Sequence, residues 1–448
     1  MSGGDEQWPD PGTQDDRELR IANLQGLVHA WPYDAGVRWE LGCELIGAQC
    51  WQEAATVLAE ACELAPTDGD IRLDLGRALV SLSCWAQAHE QLVRAVELRP
   101  WCALARAELG YVLLRQGRLE EAGAAGRAAV ARDVGSALGR LVLAEVLQAQ
   151  RRGTAAAVVH ARAAVAVWPD SAWGHTVLAE VLLDTGDYAG ARQAAAHAHE
   201  LAPGWDRTAV VLCSALGEVQ QWREAARTAE RAAAASATPW TLNALGWALI
   251  GRGRLYGAEQ ALRRAVVLGP GVRICRWNLA WLLVRAGRLR EAEAHLACLL
   301  REDPADGQAH GLSGWIHLAS GRSPQAYQEL RLAVRLLGRT RSAAHPLLLL
   351  GALERAREPA LARRHFAAAV AMTGRAAAPD VYSHPCGTGE TRALALAALG
   401  ESERARRCLE QALAVRDGSD RFDPVLYEQF ARPPLPGLEV LVGLWRDL

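Results

Sequence analysis

One alanine recurs along this chain at a spacing close to 34 residues. It stands at Ala54, Ala88, Ala122, Ala157, Ala191, Ala225, Ala258, Ala292 and Ala326, with successive gaps of 34, 34, 35, 34, 34, 33, 34 and 34. A fixed period of this size marks a repeated supersecondary unit, one that buries its apolar face only by stacking on its neighbours. Some twelve residues before these alanines comes a leucine followed by a small residue. The pairs are Leu41-Gly42, Leu75-Gly76, Leu109-Gly110, Leu143-Ala144, Leu178-Ala179, Leu212-Cys213, Leu245-Gly246 and Leu279-Ala280. Twelve residues after most of the alanines stands a proline, at Pro66, Pro100, Pro169, Pro203, Pro270 and Pro304. The gap of 35 reflects one extra residue around Arg151 to Thr154, and the gap of 33 a shortened link near Thr238.

Each unit reads as two amphipathic helices. The first buries the leucine, the small residue and a second leucine four positions on, as at Leu45, Leu79, Leu113, Leu182, Leu249 and Leu283. A turn follows, with Gly117, Gly186, Gly253, Gly287 and Gly321 where a helix C-terminus favours glycine. The second helix carries the periodic alanine, an apolar residue four later and another alanine three beyond, all on one helical face. Proline then ends the unit, because it cannot continue a helix.

This pattern resembles the tetratricopeptide repeat family over most of the chain. The order Leu-Gly, aromatic, Ala, large apolar, Ala, Pro is matched position by position, with Trp51, Trp85, Tyr188 and Trp222 in the aromatic slot three residues before the key alanine. The fold expected is all-α: a right-handed α-solenoid of about eleven helix-turn-helix repeats with a capping helix at each end. Nine regular repeats are expected over 35–340, and two looser ones over 344–416 with an inserted loop at 376–390. Residues 1–16 read as a disordered polar start and 17–31 as the N-terminal capping helix. Residues 417–448 read as a linker, containing Arg432-Pro433-Pro434-Leu435-Pro436, and a C-terminal capping helix near Gly437 to Trp445.

Composition removes whole classes of function. There are 49 basic against 51 acidic side chains, so the basic excess of a nucleic-acid module is missing. Every basic residue is arginine, which removes lysine-dependent phosphate loops, Schiff bases and general bases. An Ala- and Arg-rich, lysine-free chain also fits a GC-biased bacterial genome, actinobacterial in character. No apolar stretch reaches the roughly 18 residues that a membrane span needs. Met1 to Asp16 is too acidic for a secretory signal. Ten cysteines occur with no CxxC pair, as in a reduced cytoplasmic protein, and Cys213 takes the place of the small Gly or Ala. No nucleophile elbow, dinucleotide-binding fingerprint or zinc-protease motif is found. His197 and His199 point to different faces of a helix. His384 and Cys386 are a compact pair of ligands, but two fall short of a zinc site. No catalytic residue, metal or cofactor is expected.

The tryptophans divide by repeat position. Trp51, Trp85 and Trp222 fall in the structural slot and are expected in the core, while Trp31, Trp101, Trp168 and Trp205 lie at links between units and are expected to pack there. A third group, Trp247, Trp281 and Trp315, directly follows the small residue of the first helix at spacings of 34 and 34, and Tyr111 holds the same place. This position lies about 100° around the helix from the buried small residue. With the site four residues earlier, held by Trp39, Asn243 and Trp277, it forms a second stripe whose other occupants include Arg77, Glu145 and Glu180. In the resembled family the first helices line a concave groove, and this stripe faces it.

The expected partner site is therefore an exposed aromatic ladder built of Trp39, Tyr111, Trp240, Asn243, Trp247, Trp277, Trp281, Arg285 and Trp315, with Arg273 and Arg276 nearby. The competing reading is that these rings pack on one another and stiffen the array. The resemblance implies a non-catalytic interaction scaffold that binds a protein or peptide segment, without nucleic acid or membrane. The proline-rich segment at Arg432 to Pro436 adds self-association as a further mode. The family's lysine-based carboxylate clamp is not expected, because the chain has no lysine. The alternative is a peptide-responsive regulatory sensor acting through a partner chain. An enzyme built on the His384/Cys386 loop comes last.

Overall fold

A computed structural model of the chain describes residues 14–150, 154–373 and 385–413. The extra residue near 151–154, His384 with most of loop 376–390, the linker from 417 and the helix expected near Gly437 lie outside them. Among the described residues the regular structure is helical, with twenty-three α-helices and one short 3-10 turn. The chain divides into two units, 1–169 and 170–448.

In the first unit, α1 (Gln14–Ala30) is followed by four helix pairs. Their first helices are α2 (Ala35–Gly47), α4 (Gly69–Ser81), α6 (Ala103–Arg115) and α8 (Ala137–Ala149). Their second helices are α3 (Trp51–Leu64), α5 (Trp85–Leu98), α7 (Leu119–Arg132) and α9 (Thr154–Val167). α1 packs on α2 through Ile21, Leu24 and Val28. Arg17 donates to the Gly47 carbonyl at 2.8 Å, and Arg20 forks onto Glu44 at 3.0 and 3.3 Å.

The second unit has seven pairs. Its first helices are α10 (Ala172–Thr185), α12 (Asp206–Glu218), α14 (Pro239–Arg252), α16 (Arg273–Arg285), α18 (Gly307–Ala319), α20 (Ala344–Glu354) and α22 (Pro385–Ala398). The second helices are α11 (Tyr188–Leu201), α13 (Trp222–Ala235), α15 (Leu255–Leu268), α17 (Leu289–Glu302), α19 (Ser323–Leu337), α21 (Pro359–Met372) and α23 (Ser402–Leu413). The 3-10 turn Arg341–Ala343 lies in the link from α19 to α20. Loop 376–390 was expected to reach Glu390, yet α22 begins at Pro385. Proline suits a first helical turn, where its missing N–H has no intrahelical partner to lose.

Local chemistry explains why each pair forms. First helices start at period-spaced caps: Asp34, Asp68, Ser136, Ser171, Thr238 and Asp306 each accept a hydrogen bond from a backbone N–H of the first turn. Most of them end in a left-handed residue. Gly117, Gly186, Gly253, Gly287 and Gly321 have φ between +71° and +80° there, and Gln49, Ser83 and Gln220 take the same conformation at +59°, +58° and +63°.

The pair is then locked by matched volumes. A Cβ on Gly42 would stand 2.5 Å from Leu58, on Gly76 2.7 Å from Leu92, on Gly246 2.5 Å from Leu262 and on Gly314 2.6 Å from Leu330. Where the small residue is Ala179 or Cys213, the residue sixteen later shrinks to Ala195 or Ala229, and all four are buried. At these contacts at least one facing side chain is small, which lets the two helices approach closely. The periodic alanines Ala54 to Ala326 are all fully buried.

Within each unit consecutive first helices also touch: α2 meets α4, α4 meets α6 and α6 meets α8, and the same holds from α10 through α22. Each second helix packs mainly on its own first helix and on the next. Within each unit the first helices therefore form a continuous layer, its inner face.

Candidate partner-binding faces

The inner face of the first unit is polar. Trp39 on α2 donates its indole N–H to Asp74 Oδ2 at 2.9 Å, and Cys43 Sγ lies 3.6 Å from the same oxygen. Asp74 is buried, and Arg77 binds its other oxygen at 3.1 Å. The same guanidinium reaches Glu108 on α6 at 3.6 Å. Burial drives the Glu108 carboxyl up to about 7, with Arg77 opposing the rise. Burial, reinforced by the Asp74 charge, pushes the Cys43 thiol up to about 12, so it is no nucleophile at neutral pH. Tyr111 follows on α6 and meets Trp85 edge-on at 6.2 Å, while Arg115 lies 5.7 Å from the Trp85 ring. A cleft of about 430 Å³ opens between α1 and α2, lined by Arg20, Leu24, Leu27, Trp39, Cys43 and Glu44 among others.

The second unit carries the aromatic part of the stripe, at several depths. Trp240, in the first turn of α14, is 53% exposed. Asn243 is half-buried and accepts a 2.8 Å hydrogen bond from Asn278. Trp247 is half-buried; its ring meets Trp222 edge-on at 4.9 Å and covers Gly217, where a Cβ would come within 1.8 Å of the indole. Gly217 and Gly251 are small because these two indoles lie on them. Trp277 and Trp281 on α16 are half-buried, and Arg285 lies 4.9 Å from the Trp281 ring. Trp315 was expected as an exposed rung, yet only 4% of it is exposed. Its ring meets His345 of α20 edge-on at 4.8 Å, and burial, helped by Arg285, holds that imidazole down at about 4.

The other expectations for aromatic and charged residues also divide. Trp222 is core, whereas Trp51 and Trp85 are half-buried. The link tryptophans pack less than expected. Trp31 is 56% exposed and Trp101 63%, with Trp168 and Trp205 also exposed. Arg273 is held by Asp306 at 2.6 Å and Arg276 by the Pro270 carbonyl at 2.8 Å, so both serve the repeat frame rather than the stripe. Arg276 belongs to a series missed in the sequence: Arg72, Arg106 and Arg140 bond the link carbonyls of Pro66, Pro100 and Val134, and His310 that of Pro304. Their 34-residue spacing was the available signal, hidden because an arginine at a helix start reads as a solvated charge. Among the described residues, no group of three His, Cys, Asp or Glu side chains converges on a point where a metal ion would fit. No helix there is long and apolar enough to cross a membrane.

Residues 73–137 and 278–346 match the tetratricopeptide repeat family. No curated protein matches the chain. Among solved structures, a chain of the Cut9–Hcn1 hetero-tetramer of the APC/C is similar, with a TM-score of 0.52, 14% identity, and 96% of this chain and 89% of that one covered. The human IFIT1 dimer with m7Gppp-AAAA is similar too, with a TM-score of 0.52, 15% identity, and 93% and 97% covered. At such identities the likeness speaks to the fold. Tetratricopeptide repeats generally mediate protein–protein interactions, and the pairing of helices, the capped starts, the left-handed turns and the family match over those two stretches together identify tetratricopeptide repeats in this chain.

Proposed function

We propose that this protein is a non-catalytic interaction scaffold that takes an extended segment of a partner protein along its inner face. The observation that carries the reading is the strip on α16. Trp277, Trp281 and Arg285 stand four residues apart on one helical face, both indoles half-buried, with the guanidinium over the second ring. Indoles anchored at their base and open at their edge lose little side-chain entropy when a ligand covers them, which is why tryptophan and arginine dominate binding hot spots. Asn243, half-buried and held by the buried amide of Asn278, adds a polar side chain beside the strip. Packed helices lie ~8–10 Å apart, and three residues of a polyproline II or extended segment rise about 9 Å, so such a segment presents a side chain to each successive repeat. The buried ring of Trp315 falls outside this surface, and Trp247 contributes only its exposed part.

The test is capture of the partner with purified full-length protein, followed by titration of that partner with Trp281→Ala. Affinity is expected to fall about 30-fold, the equivalent of about 2 kcal/mol, with the helical signal and melting unchanged. A variant that melts earlier yet binds as before would show that Trp281 is packing and that the partner sits elsewhere.

A further inference from the structure

Tyr188 and Glu218 occupy a pair of repeat positions that recurs along the chain. Tyr188 is the first residue of α11 and Glu218 the last of α12, thirty residues later. In the first unit the same two positions are held by Trp85 and Arg115, whose guanidinium lies over the Trp85 ring. The cation there comes from the next helix in the chain, the first of the following repeat. At Tyr188 that next helix supplies a carboxylate instead, and the cation comes from elsewhere in the same unit.

That cation is Arg341, 153 residues from Tyr188 and 123 from Glu218, on the 3-10 turn between α19 and α20. Its Nη2 donates to the Tyr188 hydroxyl oxygen, and its Nη1 stands 3.5 Å from Glu218 Oε2. The guanidinium carbon lies 5.7 Å from the Tyr188 ring centre. The charged side chains are 12% and 16% exposed, so the contact is largely desolvated. Burial raises the Glu218 carboxyl pKa, and the hydrogen bonds from Arg341 and Tyr188 oppose the rise. An aromatic ring, a phenol oxygen and a carboxylate converging on one planar cation is the donor and acceptor set that recognises a guanidinium rather than an ammonium. No other part of Arg341 is needed to satisfy it.

We infer that Tyr188 and Glu218 form a guanidinium-binding subsite whose external ligand is an arginine side chain of a partner segment, and that Arg341 is its internal occupant. Partner binding then proceeds by exchange, one arginine for another at the same ring and carboxylate. The turn that carries Arg341 is itself packed, with Ala343 buried, so exchange requires only that the Arg341 side chain leave the subsite. The origin of the arginine rests on the scaffold reading above, whereas the subsite can be probed with a small molecule and no partner at all.

The experiment uses the full chain and N-acetyl-arginine amide as the probe, with N-acetyl-lysine amide as control, read by thermal shift and by calorimetric titration. Arg341→Ala is expected to bind the arginine probe at least tenfold more tightly than the unaltered protein. The double variant Arg341→Ala/Glu218→Gln is expected to lose that gain, and the lysine probe to show none. Should Arg341→Ala fail to fold, Arg341→Lys keeps a charge beside Glu218 without the planar fork and is expected to take up the arginine probe in the same way. Equal response of all variants, or equal binding of both probes, overturns the subsite. That result leaves the Trp281 titration standing, so the two readings fail separately.

Discussion

Replacing Glu108 by glutamine should stabilise the first unit at neutral and alkaline pH and do nothing at mildly acidic pH. The side chain is 14% exposed and lies 3.6 Å from Arg77, whose guanidinium also serves Asp74 at 3.1 Å. One arginine shared by two carboxylates offsets only part of the cost of burying the second charge, which is why the Glu108 carboxyl stands at about 7. A folded-state value above the unfolded one means that the folded protein holds more protons between the two. Stability therefore falls as pH rises through that window, from the ordinary 4.5 to about 7. At ~1.4 kcal/mol per pH unit the whole window amounts to about 3 kcal/mol, already net of the attraction to Arg77.

Glutamine keeps the shape and cannot ionise, so its profile should be flat where the glutamate profile slopes. Urea unfolding followed by circular dichroism from pH 4.5 to 8.5, with hydrogen exchange on α4 and α6 to localise the effect, measures the difference. Expected are coincident curves near pH 4.5 and a gap of about 1–3 kcal/mol at pH 8 in favour of the variant. Parallel profiles, or a less stable variant at pH 8, would mean that Glu108 is adequately paired when charged and that the reasoning fails.

Two other substitutions probe packing and backbone. Trp315→Ala removes a buried ring that meets His345 edge-on, and unfolding measurements should show a loss of about 3–5 kcal/mol, with faster exchange in α18 and α20; a loss below about 0.5 kcal/mol would return Trp315 to the binding surface. Ser83→Gly places glycine where φ is +58° and should raise the urea midpoint by the equivalent of about 1 kcal/mol. The same change at Ser81, the last residue of α4 and still helical, should lower it.

The repeat frame could be read from the chain alone because its determinants are local. A glycine or alanine in the first helix, a leucine or alanine sixteen residues later, and an Asp, Ser or Thr cap all lie within one period. The depth of the stripe could not be read in that way. Sequence position places Trp247 and Trp315 on the same side of their helices, but how far each ring sinks depends on the facing repeat. Trp247 folds onto Gly217, and Trp315 meets a histidine at the irregular start of α20. The link tryptophans failed in the opposite sense. Trp101 was expected to pack, but it directly follows the proline whose carbonyl Arg106 secures, and the ring is left outside. Arg341 was beyond any local argument, since its partners lie more than three periods away.

The two inner faces therefore differ in what they would ask of a ligand. In the first unit the indole of Trp39 is tied by its N–H to a buried carboxylate, and the chain Asp74–Arg77–Glu108 binds neighbouring first helices by charge. Such a network is satisfied from within, so a ligand placed on it must replace hydrogen bonds of equal strength, and its binding would vary with pH through Glu108. In the second unit the half-buried indoles of α16 have an arginine over one ring, and the largely desolvated guanidinium contact at Tyr188 and Glu218 is closed by a distant turn. Covering indole edges removes apolar surface from water without breaking internal bonds, and exchanging one guanidinium for another conserves the bonds that exist. On the scaffold reading, a partner segment with apolar and arginine side chains gains most on the second unit. The first unit then contributes stability and a pH-dependent stiffness instead of affinity.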